Sequence, residues 1–119
     1  MTARDLVVAC ADAGDGFQLP INAFIDAFRR AAPDERALMC GAGPTENGRL
    51  EGLVAAVVSA LCREVHMDAP EWAKTVHSQE PYFVFGARSF ALRFRLMLES
   101  PPPFRNRNVF VPENYMSRA

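Results

Sequence analysis

Cys62 and His66 stand four residues apart, the spacing that brings two side chains onto one helix face. A thiol beside an imidazole is the nucleophile–base pair of many hydrolases, the imidazole taking the proton from sulfur. No third group stands at a recognisable spacing to orient the imidazole. Cys62 also falls on an apolar stripe, where a free cysteine behaves as a small hydrophobe. The packing role therefore outweighs the catalytic one. Cys10, Cys40, Cys62, His66 and His77 are the soft metal ligands of the chain. None forms a C-x-x-C or H-x-x-x-H pair, the spacing on which structural zinc sites are built.

Other candidates are weaker. Asp12-Ala13-Gly14-Asp15-Gly16 has the acids of half a calcium loop but neither the full ligand ladder nor the closing Glu. Ser89, in Gly86-Ala87-Arg88-Ser89-Phe90-Ala91, lacks the glycines of a nucleophile elbow. No glycine-rich phosphate loop of known pattern occurs. The sequence thus assigns no catalytic residue, no metal and no cofactor.

Arginine is the chemistry this chain has in quantity. Residues 1–87 hold seven basic and twelve acidic side chains, a net of −5, and residues 88–119 hold six Arg and two Glu, a net of +4. Arg88, Arg93, Arg95, Arg105 and Arg107 lie among Phe104 and Phe110, an interleaving that can stack on bases. Lys74 is the single lysine of the chain. Arginine without lysine favours planar, bidentate pairing with carboxylates. The segment therefore points to a protein partner or to internal ion pairs ahead of a duplex. The overall net charge of −1 excludes a basic polyanion-binding arm.

These side chains need a scaffold, and 119 residues, half of them apolar, suffice for one domain. Three cysteines, an odd number, argue against a disulfide framework. The N-terminal apolar run is too short for a signal peptide, and no run approaches the roughly 20 residues of a membrane span. A cytoplasmic setting with free thiols is expected.

Prolines and glycines divide the chain into helical pieces. Residues 3–12 start at Thr2, with Asp5 placed for a capping box. Residues 20–31 carry Ile21, Phe24, Ile25 and Phe28 on one face. Arg29 and Arg30 at its end suit the helix macrodipole. Residues 33–40 follow Pro33, and Gly41, Gly43 and Pro44 stop them. Residues 49–66 carry the strongest pattern, with Leu50, Leu53, Val54, Val57, Val58, Leu61, Cys62 and Val65 in helical register. Leu53, Val57 and Leu61 are expected in the core. Residues 70–77 are anchored by Trp72, and the aromatic run 82–85 reads as a buried crossing segment. In residues 87–99, Ala87, Phe90, Ala91, Phe94, Met97 and Leu98 make the main apolar face and are expected inward. Leu92 and Leu96 lie on nearly the opposite side. A helix apolar on two faces is buried or touches a second body. Pro101-Pro102-Pro103 predicts polyproline II geometry, Val109-Phe110-Val111 a short extended stretch, and Glu113–Ala119 at most one last helical turn.

Pro70-Glu71-Trp72, Pro81-Tyr82-Phe83, the run from Ser100-Pro101-Pro102-Pro103-Phe104-Arg105-Asn106-Arg107-Asn108 to Val109-Phe110-Val111, and the closing Ser117-Arg118-Ala119 form an ordered series. This series resembles short bacterial antitoxin-like proteins, often encoded beside nucleotidyltransferase-type toxins, some with an added helix-turn-helix. The resemblance covers about residues 69–119. Asn108 stands where those proteins often have glycine, and Tyr115-Met116 where leucine is frequent.

The expected fold is all-α: a single domain over 1–119, five or six short helices around the 49–66 helix, and an extended C-terminal arm over 100–119. The expected function is non-catalytic, antitoxin-like binding of a protein partner through Arg88, Leu92, Arg95, Arg105 and Arg107. The resemblance implies a nucleotidyltransferase-like toxin as that partner, and a homodimer is compatible with it. In the arm, Phe104 and Phe110 are expected to pack on the domain, with Arg105 and Arg107 facing outward between them. The alternative is a small DNA-binding regulator using residues 20–31 and 33–40 as a helix-turn-helix. Against it, Asp34 and Glu35 open the second helix, where a groove reader wants donors. An enzyme working through Cys62 and His66 ranks third.

Overall fold

The computed structural model describes residues 1–117; Arg118 and Ala119, the end of the motif series, lie outside the described residues. The fold is all-α. Its elements are α1 (Ala3–Ala13), α2 (Gln18–Arg30), α3 (Pro33–Gly41), α4 (Arg49–Glu64), α5 (Glu71–Thr75), β1 (Tyr82–Phe83), α6 (Phe90–Glu99), α7 (Pro102–Arg105) and β2 (Val109–Phe110). A 3-10 turn over Gly14–Gly16 links α1 to α2.

The start of α1 is a capping box. Thr2 Oγ1 accepts from Asp5 N at 3.2 Å and Thr2 N donates to Asp5 Oδ2 at 3.0 Å, which satisfies two of the helix's orphan donors. In α2, Ile21, Phe24, Ile25 and Phe28 are buried, the face that the spacing predicts. Pro33 opens α3, where its missing N–H costs nothing.

The centre is α4. Gly52 through Val58, Leu61 and Cys62 are all buried, and α1, α2, α5, α7 and β2 pack around the helix. Leu53, Val57 and Leu61 are wholly inaccessible, as expected. The helix ends at Glu64, two residues before the expected end. Met67 N donates to Cys62 O at 2.8 Å and His66 N to Arg63 O at 3.3 Å. His66 has φ 57°. This pair of bonds around a left-handed residue is a Schellman stop.

Trp72 anchors α5 by donating Nε1–H to Cys40 O at 2.7 Å. Its ring lies against Gly43, where an added Cβ would stand 2.1 Å from the indole. Arg4 reaches over to Gly43 O with Nε at 3.3 Å. The polar loop after α3 is thereby tied to α1.

After α6 the chain folds back. Pro101 is extended, but Pro102 and Pro103 are the first residues of α7. The polyproline II expectation is corrected here. Proline's fixed φ also suits a first helical turn, and Pro101 O accepts from Phe104 N and Arg105 N. β2 pairs with β1 in parallel, Tyr82 level with Val109 and Phe83 with Phe110. Phe104, Val109 and Val111 are fully buried. Residues 113–116 form a hydrogen-bonded turn, with Tyr115 N on Pro112 O. Tyr115 OH then donates to Gln18 Oε1 at 2.8 Å. Arg29 closes the same seam, bonding Glu64 through two nitrogens at 2.6 and 3.1 Å and Met116 O at 2.8 Å.

Candidate partner-binding site

Helix α6 has one buried residue, Leu96. It packs with Ala87, Phe110 and half-buried Phe83 in a small cluster apart from the main core. Ser89 caps the helix start, its Oγ accepting from Leu92 N at 3.1 Å. Ser100 fastens the other end: its buried Oγ accepts from Val111 N at 2.9 Å. The same hydroxyl is within donating distance of Leu96 O at 2.5 Å. The helix is thus held by its C-terminal end and by Leu96.

The expected inward face of α6 is in fact outward. Phe90 is 83% exposed, Leu98 65%, Phe94 54% and Met97 45%. They recur at i, i+4, i+7 and i+8, one side of a helix. The main core is already filled by α1, α2, α4 and the returning C-terminal segment, so α6 docks through its smaller apolar face. Leu92, four residues before Leu96, lies on that inner side and remains 43% exposed. Phe90 and Phe94 stack with centroids 6.2 Å apart and planes 16° from parallel.

The five candidate residues separate into two groups. Arg88 and Arg105 are exposed, with no side-chain partner among the described residues. Arg95 pairs with Glu99 at 3.2 Å and is 77% exposed, a pair of little energetic weight. Leu92 lies on the inner side of the same helix, 43% exposed. Arg107 does not belong with them. Its Nε donates to Ala73 O at 2.9 Å, one terminal nitrogen to Pro103 O at 2.7 Å and the other to Ser59 Oγ at 2.8 Å. Its guanidinium lies between α4, α5 and α7, and burial lowers its pKa. The expectation that it faces a partner is corrected. Arg93 is also engaged, donating to Ala87 O at 2.6 Å with its guanidinium 5.5 Å from the Phe83 ring centre.

Helical spacing does not bring Cys62 and His66 together. Cys62 is fully buried, whereas His66 lies past the helix end, exposed and left-handed. The neighbour of Cys62 is Cys40 on α3. The Cys40 thiol hydrogen-bonds to Cys62, which together with burial raises its pKa far above the usual range. Burial alone pushes Cys10 up to about 11. Neither Cys10 nor Cys40 is a thiolate at neutral pH, the form that nucleophilic attack needs. Among the described residues no three His, Cys, Asp or Glu gather as metal ligands would.

In α2 and α3, Arg29 and Arg36 are bound to the fold, whereas Arg30 is exposed at the end of α2. Arg36 at the start of α3 donates to Phe28 O at 2.9 Å and Arg29 O at 3.0 Å, closing the end of α2. Asp34 and Glu35 are exposed. The open hollow beside these helices, about 400 Å³, is lined by Met1, Phe24, Met39 and small residues with Glu35.

No protein family model matches the chain, and no curated protein or solved structure is significantly similar to it. Among the described residues, no helix is long and apolar enough to cross a membrane.

Proposed function

We propose that this is a non-catalytic cytoplasmic protein that works by docking to another polypeptide through α6 and the arginines beside it. The observation that carries this reading is the outward apolar side of α6, with Phe90 83% and Leu98 65% exposed. A contiguous exposed apolar patch edged by charge is the mark of an interaction surface. Arg88, Arg95 and Arg105 add fixed positive charge, which selects a partner surface bearing carboxylates. The resemblance of residues 69–119 to antitoxin-like proteins makes a nucleotidyltransferase-like toxin the first partner to test.

The test is co-expression with the product of the adjacent gene. Co-purification is expected, together with relief of growth arrest if that product is such a toxin. Arg95→Glu combined with Arg105→Glu should abolish co-purification while the melting temperature stays nearly unchanged. Failure to co-purify, or unchanged co-purification of the double variant, overturns the reading.

A further inference from the structure

We propose that the apolar strip of α6 pairs antiparallel with the same strip of a second copy, with Phe94 on the two-fold axis. The inference rests on α6 being a docking face. It assigns that apolar strip to a like partner and leaves the arginines at its side, Arg95 and Arg105, to an unlike one.

The strip is complementary to itself. When two α6 helices run antiparallel with Phe94 level with its own copy, Phe90 stands level with Leu98 of the second copy. Ala91 stands level with Met97 of the second copy. A large side chain then meets a medium one at each end, and the smallest meets the most flexible. This is the alternation that lets facing helices interdigitate. The symmetry is isologous and closes at two copies, so the same contact cannot propagate into a filament.

Charge follows the same symmetry. An antiparallel pair brings the N-terminal end of one helix beside the C-terminal end of the other. Arg88, exposed and without a side-chain partner among the described residues, precedes one end, and Glu99, paired with Arg95 of its own helix, closes the other. Each pairing end therefore brings Arg88 of one copy to the Glu99 of the other, a carboxylate it shares with Arg95, and the two helix dipoles oppose one another favourably. The exposed parts of Phe90, Phe94, Met97 and Leu98 from two copies offer on the order of 1,000 Å², the lower limit for a specific interface. The other strongly exposed apolar residues, such as Leu19 and Leu38, both 74% exposed, lie on separate helices, α2 and α3.

The experiment is sedimentation equilibrium of the full chain over a concentration series. A monomer–dimer equilibrium is expected. Phe94→Glu should raise the dimer dissociation constant at least ~100-fold, because the two-fold axis places two carboxylates face to face. Circular dichroism should show its helix content unchanged, since Phe94 is on the open side. A second measurement is cross-linking with a short bismaleimide. Phe94→Cys should be trapped as a covalent dimer, while Leu92→Cys, on the inner side, should not. Cys10, Cys40 and Cys62 are buried and stay silent.

A chain monomeric up to about 1 mM, the weak end of the affinity scale, overturns the proposal. So does a dimer that Phe94→Glu leaves intact. If the chain is monomeric and Phe94→Glu abolishes co-purification with the adjacent-gene product, α6 docks an unlike partner and only the like pairing is wrong. If the chain is monomeric and Phe94→Glu alters neither property, the reading of α6 as a docking face falls as well.

Discussion

Arg105 and Arg107 are two positions apart and would lie on one side of an extended chain. The backbone decides otherwise. Arg105 ends the short helix α7 and residues 106–108 form turns, so the two side chains diverge. Arg107→Ala removes a guanidinium from Ala73 O, Pro103 O and Ser59 Oγ. A hydrogen bond to a charged group contributes about 1.5–3 kcal/mol, so the expected loss in urea melts is at least ~2 kcal/mol. Arg105→Glu should shift stability by no more than about 0.5 kcal/mol, as exposed substitutions do. The reverse order would mean that Arg107 is dispensable to the fold. The left-handed residues give a second prediction. His66 holds φ 57° and Asn108 φ 63°, a region that costs a side chain about 1–2 kcal/mol. Asn tolerates it best among residues with a side chain, and here Asn108 Nδ2 donates to Ser78 O at 3.2 Å. His66→Gly should stabilise by ~0.5–1 kcal/mol, the strain relief less the added unfolded-state entropy. A lower denaturation midpoint would show that the histidine side chain contributes more than its strain costs.

At the scale of elements, legibility followed how much of a helix is buried. The unbroken register from Leu50 to Cys62 placed α4 and its core residues. Leu61→Ala, at a wholly buried site, should cost about 2–5 kcal/mol, and a loss under about 1 kcal/mol would remove Leu61 from the core. The capping box of α1 was equally plain, because Thr2 and Asp5 act locally. Helix α6 departs from its periodicity for a physical reason. Periodicity puts its larger apolar face inward, but α1, α2, α4 and the returning C-terminal segment already fill the main core, and Leu96 is the residue of α6 that is buried. Gly52 shows what periodicity omits. Alanine is better than glycine within an ordinary helix by about 0.8–1 kcal/mol. Here a Cβ would stand 2.5 Å from Ser78 N, where the chain after α5 crosses α4. Gly52→Ala is therefore expected to lower the melting temperature, opposite in sign to the propensity. A raised melting temperature would show that the 77–78 segment yields without cost.

The whole molecule depends on its last fifth returning to its middle. Nothing local in Tyr82-Phe83 or Val109-Phe110 announces their parallel pairing, since the partners are far apart in sequence and β2 must come back after α6 and α7. The sequence did show Phe104 and Phe110 as anchors, and both are buried. The charge split, acidic body and arginine-rich end, points to a segment that docks, and among the described residues Arg93 and Arg107 bind the chain's own body. The arm is thus a structural part of the core as well as the carrier of Arg105. That division can be tested by ending the chain at Ser100. The truncated protein loses Phe104, Val109, Val111 and Tyr115 from the core. Each large apolar side chain contributes about 1.5–3 kcal/mol when buried, so the four account for roughly 6–12 kcal/mol by that measure. Total stability of a domain is only about 5–15 kcal/mol. Removal also strips β1 of its pairing strand and Ser59 of its arginine. The expected product has little helical circular dichroism and no cooperative melt. A truncated chain that still melts cooperatively, with α4 protected from hydrogen exchange, would show that α1, α2 and α4 hold together without the returning segment. The arm would then serve docking alone.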